Sequence, residues 1–452
     1  MHGETLERKI ARTGSPVRML RNAPQGAYEF PMPAEYSNWR DEQRAWRTTA
    51  VLFNQSFHMT DIYFKGPDVV RLFCDLGVNS FATFGKNKAK QFVAVNADGR
   101  VIGDAILFGL ADDEYSLVGR PSAPNWAAYQ AETGGYDVTV TRDERSVANA
   151  GRRRTFRYQL QGPNALKVID RAADRELPRI KFFNIGEFAV AGHPVRALNH
   201  TMVGVPGVEH TGLEMWGPAE HGDDVLAALL AAGEEFGLRQ GGARAYGTTA
   251  LESGWIAAPV PAIYSGASMK PYREYLSAAS WEASASLAGS FVSDNIDDYY
   301  LTPWDLGYGH LVKFDHDFLG RPALERLADG PHRKKAWLRW HDEDAQRVIS
   351  SSLFGKEEER AKYLDIPASN YATLPCDAVL AGNRPVGMAL YTGYTVNVGG
   401  WSSLAVLDEE VARDGERLTL VWGEPGGGTA KPTVERHVQT EVRVTVSTSP
   451  LV

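Results

Sequence analysis

Apolar and polar residues alternate in the first strongly patterned segment of the chain, Val51 to Phe64, which reads VLFNQSFHMTDIYF. Alternation with a period of two predicts a β-strand with one buried face. Gly66 and Pro67 follow and are typical turn residues, and the run from Asp68 to Leu76 has helical spacing. The pattern therefore predicts a strand that leads through a Gly-Pro turn into a helix.

The same order of elements recurs later in the chain. Residues 156–172 again predict a strand, a Gly-Pro turn and a helix, as residues 61–76 do. Between the two, residues 89–119 predict a meander of three strands with turns at Asp98-Gly99 and Asp112-Asp113. This repetition favours two related α+β layers.

Beyond residue 332 the pattern changes to short alternating strands separated by glycine or proline, which predicts an all-β domain at the C-terminal end. The first 50 residues are polar and rich in Trp. Pro24, Pro31 and Pro33 favour a non-helical path for residues 25–30, and we expect this segment to reach over a site.

The length of 452 residues is about three times the ~150 residues of a typical domain and predicts two or three domains. The chain has 48 Lys and Arg against 56 Asp and Glu, a formal net charge of −8, which argues against a general nucleic-acid binder. The basic run 152–154 therefore predicts a solvated strand edge and not a nucleic-acid patch.

Membrane and metal chemistry have no support in the sequence. No stretch approaches 18 uninterrupted apolar residues and the N-terminal segment is charged throughout, so we expect a cytoplasmic protein. Cys74 and Cys376 have no partners at ligand spacing, and both are expected to be buried thiols. The H-E-x-x-H, G-x-S-x-G, C-x-x-C and Walker motifs are absent, and residues 315–317 predict a solvated turn, so no metal is expected.

Six motifs follow one another between about residues 50 and 445, namely LFNQSFHMTDIYFKGPDVVRLFCDLGVN, VNADGRVIGDAILF, LQGPNALKVI, TGLEMWGP, ALESGW and PWDLGYGHLVKFDHDFLGRPAL. In this order they resemble the tetrahydrofolate-dependent aminomethyltransferase superfamily of the glycine-cleavage T-protein. The segments AYEFP, FNQSFH and KPTVERHVQTEVRVTVS more narrowly resemble the tetrahydrofolate-dependent aryl O-demethylases of the vanillate/3-O-methylgallate type.

The resemblance implies an α+β fold of three domains in a cloverleaf around a central channel. Two interleaved α+β domains are expected at residues 1–65 with 155–245 and at residues 66–154 with 246–330. A C-terminal β-barrel-like domain is expected at residues 331–452.

Two departures from the T-protein pattern argue against glycine cleavage. The arginine and aspartate that this family carries before its Leu-Glu-Ala-Gly run are replaced by Tyr246 and Gly247. The paired acids after the glycine turn become Gly103 and Asp104, which leaves one carboxylate.

A tyrosine suits the demethylation of an aryl methyl ether, because a phenolic leaving group departs more easily when an acid of similar pKa, near 10, protonates its oxygen. We expect Tyr246 to be this acid, with Tyr28 and His58 positioning the substrate, as the aryl demethylase resemblance also implies. Gln55 is expected to contact the same substrate, although on a regular strand it lies on the opposite face from His58, so a bulge or turn is needed. Arg120 is expected to bind the carboxylate of a methoxybenzoate as a bidentate pair.

The superfamily resemblance also implies the tetrahydrofolate contacts. Glu214 matches the acidic residue that accepts hydrogen bonds from the pterin, for which a carboxylate offers two acceptors side by side. Gln161 and Trp255 match positions that line the pterin. Asp104 matches the neighbourhood of the catalytic aspartate, and its role stays open between pterin contact and structural turn.

Three functions remain open on the sequence. The first is O-demethylation of a methoxylated aromatic acid, with methyl transfer to N5 of tetrahydrofolate and a catechol-type product. The second is another tetrahydrofolate-dependent demethylase or aminomethyltransferase reaction of the superfamily, and the third is folate binding without turnover. The sequence does not predict the oligomeric state.

Overall fold

The computed structural model describes residues 3–149, 151–201, 212–428 and 431–452. Two open β-sheets and one closed barrel organise these residues. The α-helices are α1 (Leu6–Thr13), α2 (Pro16–Arg21), α3 (Trp39–Thr48), α4 (Val69–Leu76), α5 (Ser122–Thr133), α6 (Ala165–Ala172), α7 (Gly222–Gly233), α8 (Ala243–Tyr246), α9 (Thr249–Ser253), α10 (Lys270–Tyr275), α11 (Trp281–Ser284), α12 (Arg321–Leu327) and α13 (Asp342–Phe354).

The first sheet has six strands in the order β11-β1-β7-β10-β9-β8. They are β1 (Ala50–Asn54), β7 (Thr155–Gln161), β8 (Ile185–Val190), β9 (His193–Leu198), β10 (Gly212–Pro218) and β11 (Leu238–Gly241). Strands β1 and β11 pair in parallel, and the other pairs are antiparallel. Helices α6 and α7 cover one face, where Val168 and Leu229 are fully buried against Leu160 of β7.

The second sheet has five antiparallel strands in the order β3-β4-β5-β2-β6. They are β2 (Thr60–Lys65), β3 (Ala89–Val95), β4 (Val101–Gly109), β5 (Glu114–Gly119) and β6 (Thr139–Asp143). The predicted meander of residues 89–119 is confirmed as β3, β4 and β5. The two strand, Gly-Pro and helix units are also confirmed, as β2 with α4 and β7 with α6.

The C-terminal strands close into a barrel in the order β13-β17-β16-β15-β18-β19. They are β13 (Lys334–Trp340), β15 (Asp377–Ala381), β16 (Arg384–Thr395), β17 (Gly400–Leu407), β18 (Arg417–Trp422) and β19 (Thr440–Ser447), and a small parallel pair, β12 (Leu287–Ala288) and β14 (Leu374–Pro375), lies beside it. The expectation of an all-β domain is wrong at α13. Three acids in its first turn favour a helix N-terminus, and its buried Ala345 and Val348 pack onto the barrel core.

The prediction of a single strand over residues 51–64 is wrong. β1 ends at Asn54, β2 begins at Thr60, and the two strands lie in different sheets. Each half of the alternating run pairs with other partners, β1 with β7 and β11, and β2 with β5 and β6. Residues 55–59 therefore cross from one sheet to the other.

Sheet pairing assigns β2 to the second sheet, although the range 1–65 was predicted for the first domain. The domain boundaries otherwise stay a prediction. The predicted solvated edge at residues 152–154 is wrong for Arg153, whose side chain is 8% exposed and pairs with Asp143 at 3.1 Å. Cys376 is buried and Cys74 is half-buried, and both are free thiols.

The helices in the described ranges are all too short or too polar to cross a bilayer.

Candidate active site

A cavity of about 610 Å³ lies between the two sheets and the barrel. Its wall combines the 55–59 crossing, strands β4 and β5, the segment 246–257 and the start of β13. Seven of the predicted site residues line it, namely Tyr28, His58, Asp104, Arg120, Glu214, Tyr246 and Trp255. The structure thus brings most of the predicted substrate and folate residues to one cavity.

The hydroxyl of Tyr246 is held between two polar side chains. Gln55 Nε2 donates to it at 3.0 Å, and His58 Nε2 lies 3.0 Å from it. Tyr246 ends the short helix α8, is 5% exposed, and has the rings of Phe30 and Phe53 packed edge-on at 5.1 and 5.0 Å. Burial raises the pKa of Tyr246 well above its usual value near 10, so the phenol keeps its proton at neutral pH.

His58 lies in the crossing between the sheets, which resolves the conflict that a regular strand creates. Because residues 55–59 leave the strand geometry, Gln55 and His58 reach the same hydroxyl. Burial, together with the positive charges of Arg145 and Arg120, lowers the pKa of His58 to about 3. The imidazole is therefore neutral, with one ring nitrogen that donates and one that accepts.

Tyr28 fixes this crossing. Its hydroxyl donates to the backbone carbonyl of His58, and its ring is 4.2 Å from the guanidinium carbons of both Arg120 and Arg145. Arg145 is itself held by a 2.9 Å bond to the carbonyl of Glu29. The segment 25–30 that was expected to reach over a site does reach it, and the Tyr28 hydroxyl is committed to the backbone.

Arg120 follows β5 and faces the cavity with its guanidinium against the Tyr28 ring. Among the described residues no carboxylate or other acceptor forms an ion pair or hydrogen bond with it. Burial lowers its pKa, although an arginine remains charged at neutral pH. A guanidinium in the cavity wall that has no counter-ion among the described residues favours the binding of an anionic ligand.

Glu214 in β10 is part of a buried charge network. Arg157 of β7 contacts Oε1 of Glu214 and lies 3.2 Å from Asp61, while His200 contacts Oε2 of Glu214. Burial opposes ionisation of Glu214, but the charge of Arg157 and the hydrogen bond from His200 outweigh it and lower the pKa to about 2. The carboxylate is therefore ionised and rigid where it meets the cavity.

Asp104 accepts three hydrogen bonds on one oxygen, Oδ2. The donors are Gln91 Nε2 at 2.7 Å, Trp255 Nε1 at 3.0 Å and Tyr308 hydroxyl at 2.8 Å. Burial raises the pKa of Asp104 against the effect of these donors. Asp104 thus fixes the half-buried Trp255 ring on the wall, and its contact with a pterin stays a prediction.

The two predicted glutamines lie behind the cavity wall. Gln55 acts through Tyr246, as described above. Gln161 is 4% exposed and its amide oxygen accepts from Gln159 Nε2 at 2.8 Å, so a role in folate binding stays a prediction.

Several polar residues at the site were missed from the sequence. Arg157 and His200 support Glu214, Arg145 supports Tyr28, and Tyr308 and Lys335 line the cavity. Arg157 had a signal, since a charged residue stands at a buried position of a predicted strand, Phe156 to Gln161. The other missed residues lie in segments that are distant in the sequence, and the order of the chain does not predict that these segments meet at the cavity.

The residues present fit a reduced folate. An ionised carboxylate at Glu214 matches the N–H groups of a pterin edge, and Phe108 and Phe183 supply flat apolar wall. Thr201 Oγ1 is buried at the same end with no partner among the described residues. Glu214, Trp255 and Thr201 are the residues that would hold the pterin.

The sheet order, the barrel and this cavity define a protein of the aminomethyltransferase fold. The glycine-cleavage aminomethyltransferase T of Bartonella henselae superposes with a TM-score of 0.61 at 16% identity, over 95% of each chain, which shows the shared fold. Residues 23–259 match the GCVT N-terminal domain family.

The chain is also similar to syringate O-demethylase of Sphingobium sp. strain SYK-6, at 45% identity over 99% of this chain and 96% of that protein. The sesamin methylene transferase of Sinomonas sp. strain No.22 is 28% identical over 93% of this chain and 90% of its own length. The chain therefore belongs to the aminomethyltransferase superfamily and, within it, to the tetrahydrofolate-dependent aryl O-demethylases.

Proposed function

We propose that the protein removes the methyl group from a methoxylated aromatic acid of the vanillate or 3-O-methylgallate type. The methyl group passes to N5 of tetrahydrofolate, and the products are 5-methyltetrahydrofolate and a catechol-type acid. Tyr246 is the general acid. The observation that carries this proposal is the Tyr246 hydroxyl, which lies at the cavity wall between Gln55 Nε2 and His58 Nε2, each at 3.0 Å.

The two neighbours of Tyr246 direct its proton toward the cavity. The amide nitrogen of Gln55 can only donate, and neutral His58 donates as well when Nε2 carries its proton. In that tautomer both bonds are made to the phenolic oxygen, and its own proton has no protein acceptor among the described residues. The same two donors stabilise the tyrosinate that forms when the proton passes to the ether oxygen.

The raised pKa of Tyr246 suits this role, because the departing aryl oxide is also a phenolate in the same cavity. As the bond between the methyl carbon and the aryl oxygen breaks, the proton of Tyr246 prevents a full negative charge on that oxygen. Tetrahydrofolate supplies N5 as the methyl acceptor and releases one proton from it, so the net reaction is neutral in protons.

Arg120 orients the substrate in the cavity. Its guanidinium lies against the Tyr28 ring, whose hydroxyl is bonded to the backbone of His58, so the carboxylate-binding group and the acid share one rigid unit. A benzoate held by Arg120 presents its ether oxygens at a fixed distance from Tyr246. Such alignment is worth up to about 7–11 kcal/mol of the activation barrier.

The test is turnover by the purified protein with tetrahydrofolate and each of vanillate, 3-O-methylgallate and syringate. Catechol-type product and 5-methyltetrahydrofolate are both measured by chromatography and are expected in equal amounts. Tyr246→Phe is expected to lower kcat about 10²- to 10⁴-fold, the usual contribution of a general acid.

The matched control is Tyr158→Phe, which removes a buried hydroxyl bonded to Gly222 at 2.9 Å, outside the cavity wall. It is expected to keep wild-type kcat. If Tyr246→Phe keeps near-wild-type kcat, Tyr246 is not the acid. If no methoxybenzoate yields product while folate still raises the melting temperature, the protein binds folate without this turnover.

A further inference from the structure

Lys335 places a second cation in the cavity wall. It is the second residue of β13, where side chains alternate between the two faces of the strand. Its neighbour Lys334 points outward and pairs with Glu409 at 3.2 Å. Lys335 instead lines the cavity and is half-buried, with Nζ 5.9 Å from the centre of the Trp337 ring.

No acceptor in the described ranges forms a hydrogen bond or ion pair with the Lys335 ammonium group. The negative charge of Asp104 acts on this group, but Asp104 Oδ2 already accepts three hydrogen bonds from other side chains. The remaining cavity lysine, Lys90, donates to the carbonyl of Ser80. Lys335, like Arg120, is therefore a cation of the cavity wall that is available to bind an anionic ligand.

Lys335 stands at an edge of the cavity that opens to solvent. Its Nζ lies beside the exposed Gly307, because a Cβ built on this glycine would be 3.4 Å from Nζ. His310, on the same edge of the cavity, is also exposed. Arg120, in contrast, is packed on Tyr28 beside the Tyr246 end. The two cations thus mark different parts of one cavity.

Two anionic ligands enter the proposed reaction, and each has a matching cation. A methoxybenzoate carries one carboxylate, which Arg120 receives. The pterin of tetrahydrofolate is bound at Glu214, so the glutamate at the other end of the molecule extends away from it. Resting on the proposed function, we propose that Lys335 binds a carboxylate of the glutamate tail of tetrahydrofolate.

The experiment measures binding directly and needs no turnover. The probes are 5-formyltetrahydrofolate and the N-methylamide of 5-formyltetrahydropteroate. Both have the pterin and the aminobenzoyl amide, but the methylamide lacks the glutamate and carries no carboxylate. Affinities for the full chain are measured by calorimetry for wild type, Lys335→Met and Lys334→Met. Lys335→Met is expected to weaken binding of 5-formyltetrahydrofolate about tenfold and to leave binding of the methylamide unchanged, because only the former has carboxylates.

Lys334→Met is the matched control and is expected to bind both probes as wild type does. Equal weakening of both probes by Lys335→Met, or no change in either, overturns the proposal. If Lys335→Met does not fold, the salt dependence of wild type decides, since only the glutamate-bearing probe should lose affinity with rising ionic strength. Wild type that binds neither probe contradicts the folate site itself, whereas wild type that binds both with equal affinity contradicts only the role of Lys335.

Discussion

The proposed recognition of the substrate carboxylate by Arg120 leads to a quantitative prediction. Arg120→Met keeps an apolar side chain of similar length and removes the charge and all five N–H donors. The guanidinium is half-buried, faces the cavity and has no carboxylate partner among the described residues. Its removal therefore affects a bound benzoate without breaking an ion pair of the free protein.

The magnitude follows from the position of Arg120 in the cavity wall, where a bound benzoate would cover the ion pair. Loss of one partner of a buried, hydrogen-bonded charge pair costs about 2–5 kcal/mol. The contact of Arg120 with the Tyr28 ring at 4.2 Å accounts for about 0.5–1 kcal/mol that every substrate shares. We therefore expect kcat/KM for vanillate to fall about 30- to 5,000-fold.

The assay compares vanillate with guaiacol, which has the same methoxyphenol ring and lacks the carboxylate. Wild type is expected to prefer vanillate strongly, and Arg120→Met is expected to lose that preference while its kcat/KM for guaiacol changes little. Arg145→Met is the matched control, because Arg145 contacts the same Tyr28 ring but is bonded to the Glu29 carbonyl. It should affect both substrates alike. Equal losses on both substrates in Arg120→Met would refute carboxylate binding and leave Arg120 as a support for Tyr28.

Two further predictions concern stability. The pKa of His58 is lowered to about 3 in the folded protein and is about 6.5 in the unfolded chain. Between these pH values the unfolded chain binds more protons at this site than the folded protein does. The free energy of unfolding therefore falls as the pH falls from about 6.5 to about 3. His58→Phe should therefore lose less unfolding free energy than wild type between pH 7 and pH 4 in urea titrations, and a difference that does not vary with pH would contradict the burial of a neutral imidazole. Arg157→Met removes the guanidinium that the buried carboxylates of Asp61 and Glu214 share and should cost about 3–5 kcal/mol of unfolding free energy. Arg239→Met, at an exposed position of β11, should stay within about 0.5 kcal/mol. Equal effects of the two arginine variants would show that the network around Glu214 does not stabilise the fold.

Local pattern was sufficient to predict the meander of three strands and the two strand, Gly-Pro and helix units, because turn residues and periodicity mark them directly. The Gly-Pro turns before α4 and α6 are examples. Pattern failed where the choice of partner strand decides the structure. Residues 51–64 alternate without interruption, and only pairing with two different sheets divides them at residues 55–59.

The site was predictable to the extent that its residues lie in motifs. His58, Tyr246 and Glu214 lie in motifs and line the cavity as expected. Lys335 and Arg145 lie in segments without a distinctive pattern, and only the packing of the barrel and of residues 25–30 brings them near the cavity. The position of Gln55 behind Tyr246 also depends on the path of the crossing between the sheets.

The crossing at residues 55–59 makes the contacts of the proposed acid, Tyr246, depend on both sheets at once. Gln55 directly follows Asn54, the last residue of β1 in the first sheet. His58 stands two positions before Thr60, the first residue of β2 in the second sheet. Both side chains must meet the hydroxyl of Tyr246, which belongs to neither sheet. Partly folded chains in which only one sheet has formed will therefore be inactive, and during refolding the recovery of demethylation should lag behind the recovery of strand content.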